Sequence, residues 1–134
     1  MLLIKTIVKE STIPGAGLGL FADEDLPLGT VTWKFQDGLD QIISPETLAA
    51  MSADERAICL KHAYLDTVTN NLIMCGDDER FINHSDTPNV AQVLTPTDPE
   101  GIEITSRDIK KGEELFCNYY DFDAYAADKL KDVQ

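Results

Sequence analysis

Long apolar runs, basic residues and organised cysteines are all scarce in this sequence of 134 residues. No apolar stretch approaches the roughly 20 residues that a membrane-spanning helix needs, so no membrane partnership is expected. The start, Met1-Leu2-Leu3-Ile4-Lys5, has no basic lead, extended apolar core or small-residue cleavage site. No export signal is therefore expected, and the reading places the protein inside the cell, cytoplasmic by default with the nucleus left open. Cys59, Cys75 and Cys117 are odd in number, far apart and without a CxxC pair. They read as reduced structural thiols, not as a zinc site or a disulfide framework. Only His62 and His84 could add imidazole ligands, so no metal site is expected. Basic side chains number 11 against 24 acidic ones, for a net charge of -13. Direct nucleic-acid binding needs the opposite sign. Such acidity suits solubility, or attraction to a basic partner.

What is present reads as a single domain, 1–134, of mainly β class with one helical insertion. Leu3 to Val8 is expected as a first strand, and Val31, Trp33 and Phe35 alternate with polar residues as on a half-buried strand. Asn70-Asn71 predicts a hairpin turn between Leu65–Val68 and Leu72–Met74. Val90–Leu94 and Ile102–Ile104 flank Pro96 to Gly101, a second hairpin with a longer loop. Lys110-Lys111-Gly112 turns into a strand over Leu115 to Tyr119. Ser44-Pro45-Glu46 carries an N-cap and a first-turn proline, and Ser52-Ala53-Asp54-Glu55 is a capping-box pattern. These place a helical insertion over 44–63. Residues 121–134 form a short tail, in which Ala124 to Gln134 are expected to be helical or frayed.

Three segments have the composition of a site. Gly15-Ala16-Gly17-Leu18-Gly19 permits positive φ and close approach of a ligand to the backbone. As a dinucleotide fingerprint it is weak, because GxGxxG counted from Gly17 would need glycine at Ala22, and no GK[ST] is present. The run Arg80 to Asn89 puts Asn83, His84, Ser85 and Asp86 on successive positions, ahead of Pro88 and Asn89. That order suits irregular backbone held by hydrogen bonds. A metal, a Ser85 nucleophile and a glycan on Asn83 are weak readings, for want of further ligands, a fixed base and export respectively. The third segment, Gly112 to Asp121, ends an apolar strand in Tyr119-Tyr120. A phenol at that strand end can serve as an active-site hydroxyl.

Together, in this order, the segments resemble the SET-domain protein-lysine methyltransferases. Gly17 to Ala22 with Asp25-Leu26-Pro27-Leu28-Gly29 looks like that family's N-terminal motif. Arg80-Phe81-Ile82-Asn83-His84-Ser85 with Pro88-Asn89 looks like its central motif, and Arg107 to Leu115, ending at Tyr119, like its C-terminal one. The resemblance implies a β-clip-like fold of small curved sheets, with a C-terminal segment threaded beneath a loop as a pseudoknot. It also implies S-adenosylmethionine as cofactor, held by Ala16, Gly17, Leu18, Gly19, Asn83, His84 and Tyr119, with Phe122 packed on adenine. Tyr119 would be the catalytic tyrosine, and Tyr64 and Cys117 would line the substrate channel. The reaction implied is methyl transfer to the side-chain amine of a lysine in a basic protein or peptide. The alternative is the same fold used as a catalytically weak or inactive peptide-binding module.

The sequence departs from the family pattern in three places. Asp86 stands where many members carry a zinc-linked cysteine, and no cysteine-rich tail is present, which implies a minimal, zinc-free form. Lys34 stands where glutamate is common. Cys117 lies two residues before Tyr119, where a bulky aromatic often governs the degree of methylation. A form without a long tail could complete its substrate groove as a homodimer.

Overall fold

Short strands dominate the computed structural model, which describes residues 1–131. Strands β1 (Thr6–Glu10) and β2 (Leu18–Ala22) pair antiparallel across the glycine-bearing loop. Then come β3 (Val31–Lys34), β4 (Gln41–Ile43), β5 (Tyr64–Leu65), β6 (Leu72–Met74) and β7 (Asn83–His84). A long hairpin, β8 (Val90–Thr95) and β9 (Asp98–Thr105), precedes the two-residue β10 (Phe116–Cys117). Two three-stranded sheets result, in the orders β3-β9-β8 and β4-β6-β5, beside the small pairs β1-β2 and β7-β10. The main core gathers Leu20, Ala22, Leu26, Ile82, Val90, Ile109, Leu115 and Cys117 from all along the chain. No described helix is long and apolar enough to cross a membrane.

Between β4 and β5 lie α1 (Pro45–Ala50) and α2 (Ala53–His62), within the insertion expected at 44–63. Ser44 accepts the Thr47 N–H, and Ser52 and Glu55 form the full reciprocal capping box. Each such cap contributes about 1 kcal/mol, which matters for helices this short. Only Cys59 of α2 is buried; it packs with Ile43, Ala63 and Leu72 in a second, smaller core under Leu48 and Met51.

The end of the chain ties distant segments together. β10 runs parallel to β7, with Phe116 opposite Asn83 and Cys117 opposite His84. Just upstream, the Leu115 N–H donates to Leu20 O. Downstream, Asp123 Oδ1 accepts the Leu65 N–H, and the Ala124 N–H donates to Leu65 O. A short helix, α3 (Ala126–Leu130), closes the described chain, so the helical alternative for the tail holds over those residues. Positions 132–134 of the expected tail lie outside the described residues.

Four expected elements differ in detail. The first strand starts at Thr6, because residues 1–3 pair elsewhere: Leu3 N–H donates to Thr32 O and Leu2 bridges Trp33. In the 66–71 turn, Asp66 accepts hydrogen bonds from Thr69, and Asn70 takes a left-handed φ of 61°. That turn shortens the hairpin to Tyr64–Leu65 against Leu72–Ile73. The Pro96–Gly101 loop is mostly strand; only Pro96 and Thr97 connect β8 to β9. A register shift between Val93 and Thr95, with Gly101 at φ +87°, absorbs the extra residues. Finally, Tyr119 does not end a strand. It opens a 3-10 turn, Tyr119–Asp121, capped by Asn118 on the Tyr120 N–H.

Candidate active site

The loop 11–17 and β7 meet over one carboxylate that sequence reasoning missed. Glu114, 5% exposed, accepts Ser11 Oγ at 2.7 Å, the Thr12 N–H at 2.8 Å and Thr12 Oγ1 at 2.5 Å. It also accepts Asn83 Nδ2 at 3.2 Å, and the same amide donates to Leu18 O at 3.0 Å. Burial disfavours the charge on Glu114, but the bonds from Thr12, Ser11 and Asn83 outweigh it and hold its carboxyl below the usual range. Asn83 is thus aimed by protein on its donor side. Its Oδ1 accepts no hydrogen bond among the described residues.

Gly19 fits this arrangement for a steric reason. A Cβ there would stand 2.2 Å from Glu114 Oε1 and 3.2 Å from Asn83 Nδ2. Gly19→Ala must displace a carboxylate held by several donors. We expect a loss of about 1–3 kcal/mol in denaturant unfolding, as for overpacked cores. Gly17 differs: its φ of +76° is what excludes other residues, and the space around it is open.

On the opposite wall, Tyr119 is fixed from two directions. Its hydroxyl donates to Ile82 O at 2.6 Å, and its N–H donates to His84 Nδ1 at 3.1 Å. Because Nδ1 accepts, His84 carries its hydrogen on Nε2 and gives it to Asp86 Oδ1 at 2.9 Å. Asp86 therefore has a local role in setting the imidazole that positions the tyrosine backbone. Burial, followed by Cys117, Asp123, Glu79 and Glu103, pushes the Tyr119 phenol well above its ordinary range. It acts as a neutral hydroxyl, not a phenolate.

Two cavities meet at Tyr119. A cleft of about 960 Å³ is bordered by Ala16, Asn83, His84, Tyr119 and Tyr120. A much smaller pocket, about 60 Å³, lies beyond Tyr119 and is bordered by Tyr64, Ile82 and Phe122. Tyr64 and Phe122 pack edge to face at 5.0 Å, and Phe122 and Tyr119 at 6.0 Å. Burial drives the Tyr64 phenol strongly upward as well.

Of the residues singled out from sequence, Ala16, Asn83, His84 and Tyr119 come together at the cleft, and Tyr64 reaches the small pocket. Gly17, Leu18 and Gly19 border neither cavity; Leu18 and Gly19 act behind Asn83. Phe122 lies in the small pocket, not in the cleft where adenine packing was expected. The 3-10 turn instead puts Tyr120 in the cleft, 58% exposed and 5.5 Å from the His84 ring. Cys117 is 1% exposed in the main core and borders neither cavity. Lys34 is away from both, paired with Asp98 at 3.2 Å.

A family model for the SET domain matches residues 17–120. The chain belongs to the SET-domain family. Among solved structures it is similar to Chaetomium thermophilum Polycomb Repressive Complex 2 bound to GSK126, with 26% identity and a TM-score of 0.69. That match covers 97% of this chain and 18% of the other. An autoinhibited ctPRC2 bound to S-adenosylmethionine matches at 23% identity and TM-score 0.67, covering 96% of this chain and 16% of its own. An apo ctPRC2 with mutations in Ezh2 gives 23% identity, TM-score 0.70, and coverage of 94% and 16%. This SET domain thus spans less than a fifth of the chains it matches. No curated protein matched its sequence.

The SET assignment accounts for the order of the motifs around the cleft, while Glu114, Ser11, Thr12 and Tyr120 carry contacts that the motif reading did not assign. A signal for Glu114 was available in the sequence. It sits next to Leu115, a core residue, so a strand-edge carboxylate there had to be either solvated or satisfied inside.

Proposed function

We propose that this SET domain transfers a methyl group from S-adenosylmethionine to the side-chain amine of a lysine in a basic protein or peptide. The observation that carries the reading is the position of Tyr119, whose neutral hydroxyl stands between a large cleft and a small pocket walled on one side by Tyr64 and Phe122. A cleft of this size accommodates a nucleoside-sized cofactor. Asn83 Oδ1 and the backbone near Ala16 and His84 would hold it, and Tyr120 offers a ring face for a base. Bound there, the cofactor supplies an electrophilic methyl group on a sulfonium.

The chain's own residues then have three tasks. The aromatic walls of Tyr64, Tyr119 and Phe122 admit the narrow alkyl stem of a lysine and keep water from the amine. Desolvation disfavours the ammonium form, whose free pKa is about 10.4. The Tyr119 oxygen, its hydrogen directed to Ile82 O, can accept an amine N–H and orient the nitrogen lone pair. No oxyanion develops, so no oxyanion hole is needed. The net charge of -13 favours encounter with a basic substrate. A second copy completing the groove is part of the same proposal, checked by light scattering with and without cofactor.

Incubation with methyl-labelled S-adenosylmethionine and a panel of basic proteins tests the reading. Label on lysine is the expected result. Cofactor binding by calorimetry with no transfer to any protein would instead favour the docking-module alternative. Asn83→Ala should weaken cofactor binding about tenfold, the loss of one hydrogen bond in a semi-buried site. An unchanged Kd would remove Asn83 from the cofactor site.

A further inference from the structure

The small pocket has a floor that an apolar lysine channel does not need. Trp33 Nε1, Glu79 Oε1, Gln92 Oε1 and Glu103 Oε2 are buried and have no hydrogen-bond partner among the described residues. All four side chains line this one pocket. Buried polar atoms are almost always satisfied, so one donor and three acceptors converging on one space mark a site for a polar ligand. The two carboxyls come from separate elements, Glu79 from the 3-10 turn Asp78–Phe81 and Glu103 from β9, and are 4% and 7% exposed. No lysine or arginine forms an ion pair with either among the described residues. The two groups interact directly, and carboxylates so placed cannot both be ionised.

We propose that Glu79 and Glu103 form a one-proton carboxyl pair that binds the ammonium head of an alkylamine entering past Tyr64, Tyr119 and Phe122, and accepts its proton. That the alkylamine is a substrate lysine rests on the methyltransferase reading; the site itself is defined without it. In the step, one N–H bond breaks, the electron pair stays on nitrogen, and one O–H bond forms on the pair, whose charge goes from minus one to zero. The neutral amine is the form that can attack a methyl donor. The pocket, about 60 Å³, exceeds the ~10–15 Å³ that a single water needs, which leaves room for one that accepts from Trp33 Nε1 and relays the proton. Burial holds both groups above the usual carboxyl range, reinforced at Glu79 by Glu103 and Asp77 and at Glu103 by Asp77 alone, which makes the pair a competent base nearer neutrality. The charged and titratable groups that act on it are Asp77, Cys75, Cys117, the Met1 ammonium, Tyr64 and Tyr119. His62, Arg80, Asp123 and Lys129 also line the pocket.

Trp33 is the only tryptophan, so its fluorescence and its indole N–H resonance report on the pocket directly. Titration of the cofactor-free protein with n-butylammonium at neutral pH should give a saturable change in both signals. Glu79→Gln and Glu103→Gln should each weaken it tenfold or more. No change, or an equal affinity in both variants, overturns the proposal. Carbon-13 titration of the wild-type glutamate carboxyls covers the case of a variant that does not fold. Two coupled resonances titrating well above ~4.3 support the pair, and none doing so overturns it. If butylammonium binds through the glutamates but no methyl transfer is found, the methyltransferase reading alone fails. If transfer occurs with a pH–rate profile that Glu103→Gln leaves unmoved, the carboxyl pair alone fails.

Discussion

Tyr119→Phe should lower methyl transfer by roughly 10²-fold or more while leaving the affinity for S-adenosylmethionine little changed. The substitution removes one oxygen and leaves the ring. The contacts with Phe122 at 6.0 Å and His84 at 5.6 Å survive, and so does the backbone bond from Tyr119 N–H to His84 Nδ1. What is lost is the acceptor beside the reacting amine, held in place by its bond to Ile82 O. Ile82 is 7% exposed, so its carbonyl would lose its partner at a cost of about 1–3 kcal/mol of stability. The experiment therefore pairs single-turnover transfer with a thermal melt. A large fall in rate with a small fall in Tm assigns Tyr119 to the chemistry. Equal turnover in the two proteins would remove it from the mechanism, whatever the melt shows.

The sequence carried the fold wherever a local rule had one solution. Ser44-Pro45 and the Ser52/Glu55 pair could hardly start anything but helices, and both did. Asn70 supplied the left-handed residue of its turn. The rule failed where pairing was decided by partners far along the chain. Pro99 and Glu100 read as loop, yet β9 continues through them because β8 pairs on both sides of them, at Asp98 and at Ile102–Thr105, while β3 pairs with the later residues. The site divides the same way. Asn83, His84 and Tyr119 stand out as polar or phenolic groups that no core needs, and they converge. Phe122 follows the 3-10 turn Tyr119–Asp121 that carries Tyr120, and that turn sends the two rings to different cavities, which an extended reading of the strand end does not anticipate. Glu79 and Glu103 look like two more acids in a chain with 24, and only tertiary structure separates buried ones from solvated ones.

Glu114→Ala is expected to cost about 3–5 kcal/mol, the range for removing one partner of a buried charged network. For a domain whose whole stability is of order 5–15 kcal/mol, this lowers Tm by roughly 10 °C or more. The reason is the donors left behind: Ser11 Oγ, the Thr12 N–H and hydroxyl, and one Asn83 amide hydrogen would face a space with no acceptor. Cofactor affinity should fall with stability, because Asn83 and the loop at Ser11–Thr12 lose their common anchor. The pH dependence separates this carboxylate from the pair in the small pocket. The folded pKa of Glu114 is depressed, so its contribution is full above the unfolded value and lost as pH falls through the folded one. Those of Glu79 and Glu103 are raised, so theirs is full below the unfolded value and lost as pH rises through the folded one. Stability measured by denaturant across pH 3–9 should therefore decline on both sides of a maximum. Glu114→Ala should make the acid limb shallower and leave the alkaline one, and Glu103→Gln should make the alkaline limb shallower and leave the acid one. Glu103→Gln should also raise stability at pH 8, because the folded protein no longer holds a buried acid that water would ionise. A domain that gains stability on losing Glu103 keeps that residue for something other than folding, and the polar floor beneath Tyr119 is where that use must lie.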